Sequence, residues 1–189
     1  MYLDKFLRSA DILISTAVLM LSFPLFIMLF FAVFISMGRP FIFSQVRVGL
    51  DGRLFRVLKI RTMNNDAGSD DERLTPVGKF LRRASLDELP QLVNVLKGEM
   101  SLVGPRPLPP ERFCGVPQNL FILRHSVRPG ITGYSQVKGR GYPRDVEEKL
   151  KLDIEYVCKK SVRMYLSILF ETLFAVLLRF YNNKKGESL

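Results

Sequence analysis

The chain has 189 residues, 48% hydrophobic and 24% charged, a composition that excludes an intrinsically disordered protein. Lys and Arg number 28 against 18 Asp and Glu, and the resulting +10 charge calls for an anionic partner: nucleic acid, a membrane surface or a phosphate-bearing substrate. One histidine, His125, and two cysteines, Cys114 and Cys158, exclude a multi-histidine zinc site, a histidine-pair acid/base scheme and a disulfide framework, and favour a reducing compartment.

The run from Ile12 to Met37 carries no charge. As one straight helix at about 1.5 Å per residue it exceeds the ~30 Å hydrocarbon core, so a tilted span fits. Pro24, near its middle, removes a backbone donor and favours a kink, and Ser22 stands ready to serve a freed carbonyl. Lys5 and Arg8 precede the run, and Arg39, Arg47, Arg53, Arg56, Lys59 and Arg61 follow it. A spanning helix usually carries its Lys and Arg excess on the cytoplasmic side only. Two courses stay open: a helix that dips into the membrane, breaks near Pro24 and returns, or a single-spanning anchor. A cleaved signal peptide fits poorly, because the run is too long and no A-x-A-like site follows it.

Phe41 to Val48 and Leu54 to Ile60 read as strands joined by Gly49-Leu50-Asp51-Gly52, whose Asp-Gly pair is a hairpin signal. Lys59 and Arg61 then share a face. Asn64 to Arg73 is polar and acidic and reads as an exposed loop, and Val77 to Arg83 as a short helix bearing Lys79, Arg82 and Arg83. Leu89, Leu92, Val93 and Leu96 follow helical spacing, and Gly98 is a natural stop. With Asp87 as N-cap, Pro90 takes the third helical position, where its missing N–H costs nothing; with Ser85 as cap, Ser85 and Glu88 make a capping box but Pro90 loses a bond. The first is preferred, and either start puts Asp87 and Glu88 at a helix N-terminus that favours anions.

Gly104 to Pro110 is proline-rich and extended, presenting Arg106 at low entropic cost. Arg128-Pro129-Gly130-Ile131-Thr132-Gly133 reads as a second rigid turn with a cation at its head. Gln136 to Tyr142, with Lys138 and Arg140, is a glycine-rich basic loop. Two helices close the chain, Asp145 to Lys160 and Ser161 to Tyr181. The second carries Leu166, Leu169, Phe170, Leu173, Leu177 and Phe180 on one broad face, fit equally for a membrane interface or for the core.

No P-loop, no G-x-G-x-x-G after a strand and no G-x-S-x-G occurs. What remains is a carboxylate pair, Asp87 and Glu88, and arginines on rigid prolyl turns, a set suited to phosphate chemistry. Arginine forks onto phosphate oxygens. One carboxylate can hold a metal on oxygen ligands, Mg²⁺ or Mn²⁺, that bridges to substrate phosphates. Another can attack phosphorus. The plain alternative is a capping Asp87 and a solvated Glu88.

The runs Phe43-Ser44-Gln45-Val46-Arg47-Val48-Gly49, Lys59-Ile60-Arg61-Thr62-Met63, Ser85 to Gly98, Met100 to Leu108, Arg128 to Gly133 and Gln136-Val137-Lys138-Gly139-Arg140 together resemble the bacterial sugar transferases, the monotopic phosphoglycosyl transferases. The resemblance covers nearly the whole chain and suggests the minimal catalytic form, without further transmembrane helices. It implies an α+β fold: a re-entrant membrane helix over residues 1–38, broken near Pro24 with Ser22 beside it, and a catalytic domain over 39–189. That domain holds a small β-hairpin and helices, including a C-terminal interfacial one, around a membrane-surface active site. A UDP-sugar would give its sugar-1-phosphate to undecaprenyl phosphate at the cytoplasmic face of the bacterial inner membrane, leaving a polyprenyl-diphospho-sugar and UMP. By the same resemblance Asp87 is the nucleophile of a covalent, ping-pong mechanism, Glu88 the Mg²⁺ ligand, and Arg106 a partner of the transferring phosphoryl group. Lys59, Arg61, Arg82, Arg128, Gln136 and Arg140 are further candidates for binding substrate. The expected partners are these two substrates and membrane lipid; a homodimer and downstream glycosyltransferases stay open. Nucleic acid is not expected, since there is no stacking platform or nucleic-acid motif. A non-catalytic, membrane-tethered anion-binding or scaffold protein is the alternative. The chain departs from the family pattern at Leu7-Arg8 (a Lys-Arg pair), Ser22-Phe23-Pro24 (Ser-Pro), Gly139-Arg140-Gly141 (Gly-Arg-Asn) and Tyr165 (an acidic residue).

Overall fold

A computed structural model of the chain describes residues 2–64, 68–138 and 146–184. A long helix, α1 (Tyr2–Met37), leads into an antiparallel hairpin of β1 (Ile42–Val48) and β2 (Leu54–Ile60). Short helices α2 (Asp70–Arg73), α3 (Pro76–Arg83) and α4 (Gln91–Lys97) follow, then β3 (Ser101–Val103) and α5 (Gln118–Arg124). Last come β4 (Gly130–Thr132), α6 (Tyr134–Lys138), α7 (Val146–Lys159) and α8 (Val162–Lys184). The fold is α+β, as expected.

The helical assignment of α1 runs on through Pro24. The expected break near Pro24 is therefore not an interruption of the helix. Ser22 Oγ donates to the Leu19 carbonyl at 3.3 Å. The carbonyl that Pro24 leaves without a helical donor is that of Met20, two residues from Ser22; a helical serine reaches back only three or four. The expected service to the freed carbonyl is corrected accordingly.

α1 is long and apolar enough to cross a membrane. Its packing, however, is one-sided along its whole length. Leu3, Leu7, Asp11, Ser15 and Leu19, in steps of four, and then Ser22, Phe26, Leu29 and Val33 are buried or half-buried against the rest of the chain. Phe6, Leu13, Leu21, Phe23, Met28 and Ile35 stand exposed on the rest of its circumference. Polar ties hold this apolar helix at three levels. Arg8 donates to the carbonyls of Val95 and Leu96 at the end of α4, at 2.7 and 3.0 Å. Buried Asp11 accepts from Ser101 Oγ, the Leu102 N–H and the Tyr165 hydroxyl at 3.1, 2.9 and 2.7 Å. Arg61 donates to the carbonyls of Met37, Gly38 and Arg39, closing the orphan end of the helix. Two of the departures from the family pattern thus have structural work: Leu7 is core and Tyr165 satisfies Asp11, while Arg8, the retained arginine of the first pair, clamps α4.

The hairpin forms as read, with Ile42 opposite Ile60 and Val48 opposite Leu54. Asp51 and Gly52 take the positive φ values, 54° and 74°, that the turn demands. Three readings are corrected. The acidic run is not all loop: Ser69 and Glu72 form a capping box that starts α2, a signal the S-x-x-E spacing carried. The Arg128–Gly133 turn contains a strand, β4, which pairs parallel with β3. The proline and glycines hid it, yet a Cβ on Gly104 or Gly130 would strike the backbone across the pair, so the glycines permit the approach. Finally, neither Asp87 nor Ser85 caps a helix by its side chain. Ser85 sits at φ 55°, Leu86–Glu88 form a separate 3₁₀ turn, and Pro90 occupies the N-cap of α4.

Two apolar clusters result. One joins Leu7, Val57, Leu92, Val95, Met100, Tyr156, Tyr165 and Ile168. The other joins Leu29, Val33, Ile60 and Leu81. The C-terminal helix is divided: Tyr165 and Ile168 of α8 are core, whereas Phe170, Leu173, Phe174 and Leu177 are exposed. The exposed faces of α1 and α8 are the apolar surface of a membrane-associated protein.

His125 is buried beside α5, against the rings of Phe113 and Phe121. Its Nδ1 lies 2.7 Å from the Phe121 carbonyl and its Nε2 3.2 Å from Arg124 Nη1. Neutral histidine with Nδ1–H satisfies both contacts; a second proton would face the guanidinium. Burial, with Arg124 beside it, pulls the imidazole from 6.5 down to about 4. The unfolded chain thus takes up this proton first as pH falls, so stability falls from pH 6.5 to about 4. Thermal unfolding across that range should show the loss, and His125→Gln should flatten it; an equally steep loss in the variant would remove His125 as its source.

Candidate active site

The turn carrying Asp87 and Glu88 lies on the seam between the two apolar clusters. Leu86 packs into the one built on α1 and α3, and Leu89 into the one built on α4 and β2. These flanking leucines fix the turn and leave the two carboxylates between them facing the end of β2. Lys59, the penultimate residue of β2, reaches Glu88 Oε1 at 2.8 Å and Asp87 Oδ2 at 3.8 Å. Its strand is held there by Asn94, 1% exposed, which accepts from the Leu58 N–H at 3.0 Å and donates to the Arg56 carbonyl at 2.8 Å. Arg106, on the extended segment after β3, meets the same Glu88 Oε1 at 2.9 Å.

Arg82 approaches from α3. Its Nε donates to Thr62 Oγ1 at 3.0 Å, and its charge acts on Asp87. Thr62 is fixed because Gly78 lets α3 press against the Thr62 carbonyl, where a Cβ would collide.

The two carboxylates sit in different electrostatic settings. Burial pushes Asp87 above the usual carboxylate range, only partly countered by Lys59. Burial also acts on Glu88, but Arg106 and Lys59 more than offset it and hold that carboxyl below its ordinary value. Adjacent carboxyls driven apart in this way are suited to different chemical tasks.

The structure thus brings together Asp87, Glu88, Lys59, Arg82 and Arg106. The other expected site residues are engaged elsewhere. Arg61 holds the end of α1. Arg128 Nε donates to the Gly98 carbonyl at 2.9 Å. Gln136 Nε2 donates to the Ile131 carbonyl at 3.3 Å, and its Oε1 is buried without a hydrogen-bond partner. The expectation for Arg140 lies outside the described residues. Two residues were not singled out from sequence: Arg47 and Gln91 line a pocket with Val57, Lys59, Arg106 and Pro107. The hairpin register carried the signal for Arg47. Gln45 faces Val57 and Phe43 faces Lys59, so Arg47 shares the face of Lys59.

Among the described residues no three His, Cys, Asp or Glu side chains cluster to hold a metal. The carboxylate pair offers oxygen donors only, and Glu88 Oε1 alone takes both cations. This donor set fits a cation of the Mg²⁺ type, which binds one or two carboxylates and fills its sphere with water and phosphate oxygens.

A membrane-associated α+β body bearing a carboxylate pair ringed by cations is the class defined by fold and site. The family model for bacterial sugar transferases matches residues 3–179, and the chain belongs to that family. It is 41% identical over 182 residues to the UDP-glucose:undecaprenyl-phosphate glucose-1-phosphate transferase of Escherichia coli (strain K12), covering 88% of this chain and 39% of that protein. It is 44% identical over 149 residues to an uncharacterized sugar transferase, EpsL, of Bacillus subtilis (strain 168), covering 76% of this chain and 73% of that protein. It is 37% identical over 189 residues to the UDP-N-acetylgalactosamine-undecaprenyl-phosphate N-acetylgalactosaminephosphotransferase of Aeromonas hydrophila, covering 92% of this chain and 44% of that protein. The chain therefore spans less than half the length of the first and third of these relatives.

Proposed function

We propose that this chain transfers sugar-1-phosphate from a UDP-sugar to undecaprenyl phosphate, releasing UMP, at the cytoplasmic face of the bacterial inner membrane. The observation that carries the reading is the Asp87–Glu88 turn, with one carboxyl raised by burial and the other held ionised by Lys59 and Arg106. The relatives' names supply the substrate class, a UDP-sugar and undecaprenyl phosphate.

In this account an Asp87 oxygen attacks the sugar-bearing phosphorus, and the bond from that phosphorus to the bridging oxygen breaks. The electron pair leaves with the bridging oxygen on UMP. Undecaprenyl phosphate then attacks the same phosphorus and frees Asp87. Glu88, together with diphosphate oxygens, would hold Mg²⁺, which when bound offsets negative charge on the phosphates. Lys59 and Arg106 position Glu88 and add positive charge where the transferring group gains negative charge. Arg82, on α3, acts on Asp87 through its charge.

The exposed apolar faces of α1 and α8 support insertion into one leaflet. A helix packed lengthwise on the body that carries the charged site suits a re-entrant or interfacial course better than a span that leaves that body behind. This keeps the site at the depth of a lipid phosphate. The product would open assembly of a membrane-bound glycan.

The test is UMP release in nanodiscs holding undecaprenyl phosphate, with Mg²⁺ and a panel including UDP-glucose and UDP-N-acetylgalactosamine. Release that needs both metal and lipid for sustained turnover is expected with at least one donor. A folded protein that releases UMP from none of them, yet binds anionic lipid or co-purifies with glycosyltransferases, would favour the scaffold alternative.

A further inference from the structure

The pocket beside the carboxylate pair holds more positive charge than the protein neutralises. Arg47, Lys59 and Arg106 all line it, together with the amide of buried Gln91. Glu88 is already taken by Lys59 and Arg106. Arg47 spends one bond on Gln45 Oε1, at 2.6 Å, and its Nε is buried without a hydrogen-bond partner. Burial lowers its affinity for the proton first, and the like charge of Arg106 lowers it further; Glu111 and Arg112 on the neighbouring turn act in opposite directions. A half-buried guanidinium with an orphan donor, crowded by a second cation at an open pocket, is costly unless an anion joins them.

The pocket's position selects which anion. Arg82 stands on α3, which packs with α1 in the cluster of Leu29, Val33, Ile60 and Leu81. With the exposed face of α1 in the membrane, as proposed above, a lipid-borne phosphate would arrive on that side. Arg47 stands on β1, against the proline-rich segment of Pro107 to Phe113. In the same orientation a water-soluble nucleotide would reach this pocket without crossing the apolar faces.

We propose that Arg47, assisted by Gln91, binds the phosphate of the departing nucleoside monophosphate, so that this pocket is the leaving-group subsite of the reaction proposed above. The inference rests on that reaction. When the bond between the sugar-bearing phosphorus and the bridging oxygen breaks, the electron pair and the new negative charge go to the nucleotide's phosphate. Arg47 and Arg106 meet that charge with planar forks, which a lysine cannot reproduce.

Equilibrium binding of UMP, uridine and inorganic phosphate to the full chain in nanodiscs tests the subsite without turnover. The expected result is UMP bound at least about tenfold more weakly by Arg47→Gln and by Arg47→Lys, with uridine binding unchanged. In steady state the UMP inhibition constant should rise in parallel, while KM for undecaprenyl phosphate stays within about twofold. Thermal unfolding checks each variant, and Arg47→Lys, which keeps the charge, carries the test if Arg47→Gln is poorly folded. Unchanged UMP affinity in a folded variant would overturn the assignment. So would a rise confined to the KM of undecaprenyl phosphate, which would move Arg47 to the acceptor. If wild-type chain binds UMP through Arg47 but releases none from any donor, the reaction fails while the binding site stands.

Discussion

Asp87→Asn should reduce UMP release by at least about a thousandfold while leaving the fold intact or slightly firmer. The first part follows from chemistry: an amide oxygen is a poor nucleophile toward phosphorus, and losing a covalent nucleophile typically costs several orders of magnitude. The second follows from electrostatics. The Asp87 carboxyl is raised because the fold buries it with incomplete compensation. A neutral isostere relieves that cost, so thermal unfolding should be unchanged or shifted upward. A variant that loses activity only in proportion to lost folded protein would make Asp87 a structural residue. Full activity in a folded variant would remove it from the chemistry.

The second large effect is on stability, at a point remote from the carboxylates. Arg124 and Asp153 form an ion pair at 2.7 Å with side chains only 2% and 5% exposed. Asp153 also accepts from Ser135 Oγ at 2.6 Å, and Arg124 Nη2 donates to the Arg106 carbonyl at 2.8 Å. This network joins α5, α6 and α7 to the segment that presents Arg106. Arg124→Met should cost about 3–5 kcal/mol, since it strands a buried carboxylate. For a chain of this size that is a fall in unfolding temperature of roughly 6–20 °C. Replacing both partners, Arg124→Met with Asp153→Leu, should recover much of the loss, because a matched apolar pair leaves no uncompensated charge. A loss under about 1 kcal/mol in the single variant would show that the pair is not the keystone described.

The network also shows what the sequence could and could not reveal. Arg106 was legible because prolines on both sides fix the chain around it. Its support from Arg124 was not, since those residues meet only through tertiary packing. The hairpin was legible from Asp51-Gly52 and alternating strands, and its register, with Arg47 opposite Phe55, puts Arg47 on the same face as Lys59. β4 was missed because a three-residue strand that begins with a glycine after a proline has no period to detect. Arg61 was legible as a cation of the motif but not by its contacts. It shares a motif and a strand parity with Lys59, but β2 ends at Ile60 and the side chain turns to the carbonyls that close α1. The start of α4 went wrong for a local reason. Leu89 closes the 3₁₀ turn that holds the carboxylates, and Pro90 then opens the helix.

Intact mass of the protein incubated with its UDP-sugar in the absence of lipid acceptor bears most directly on the central claim. Wild-type protein should gain one sugar-phosphate, mapped by peptide mass to Asp87. The adduct should be absent from Asp87→Asn and discharged by adding undecaprenyl phosphate. An adduct on another residue, or steady UMP release from protein whose mass never changes under conditions that trap acyl phosphates, would contradict it.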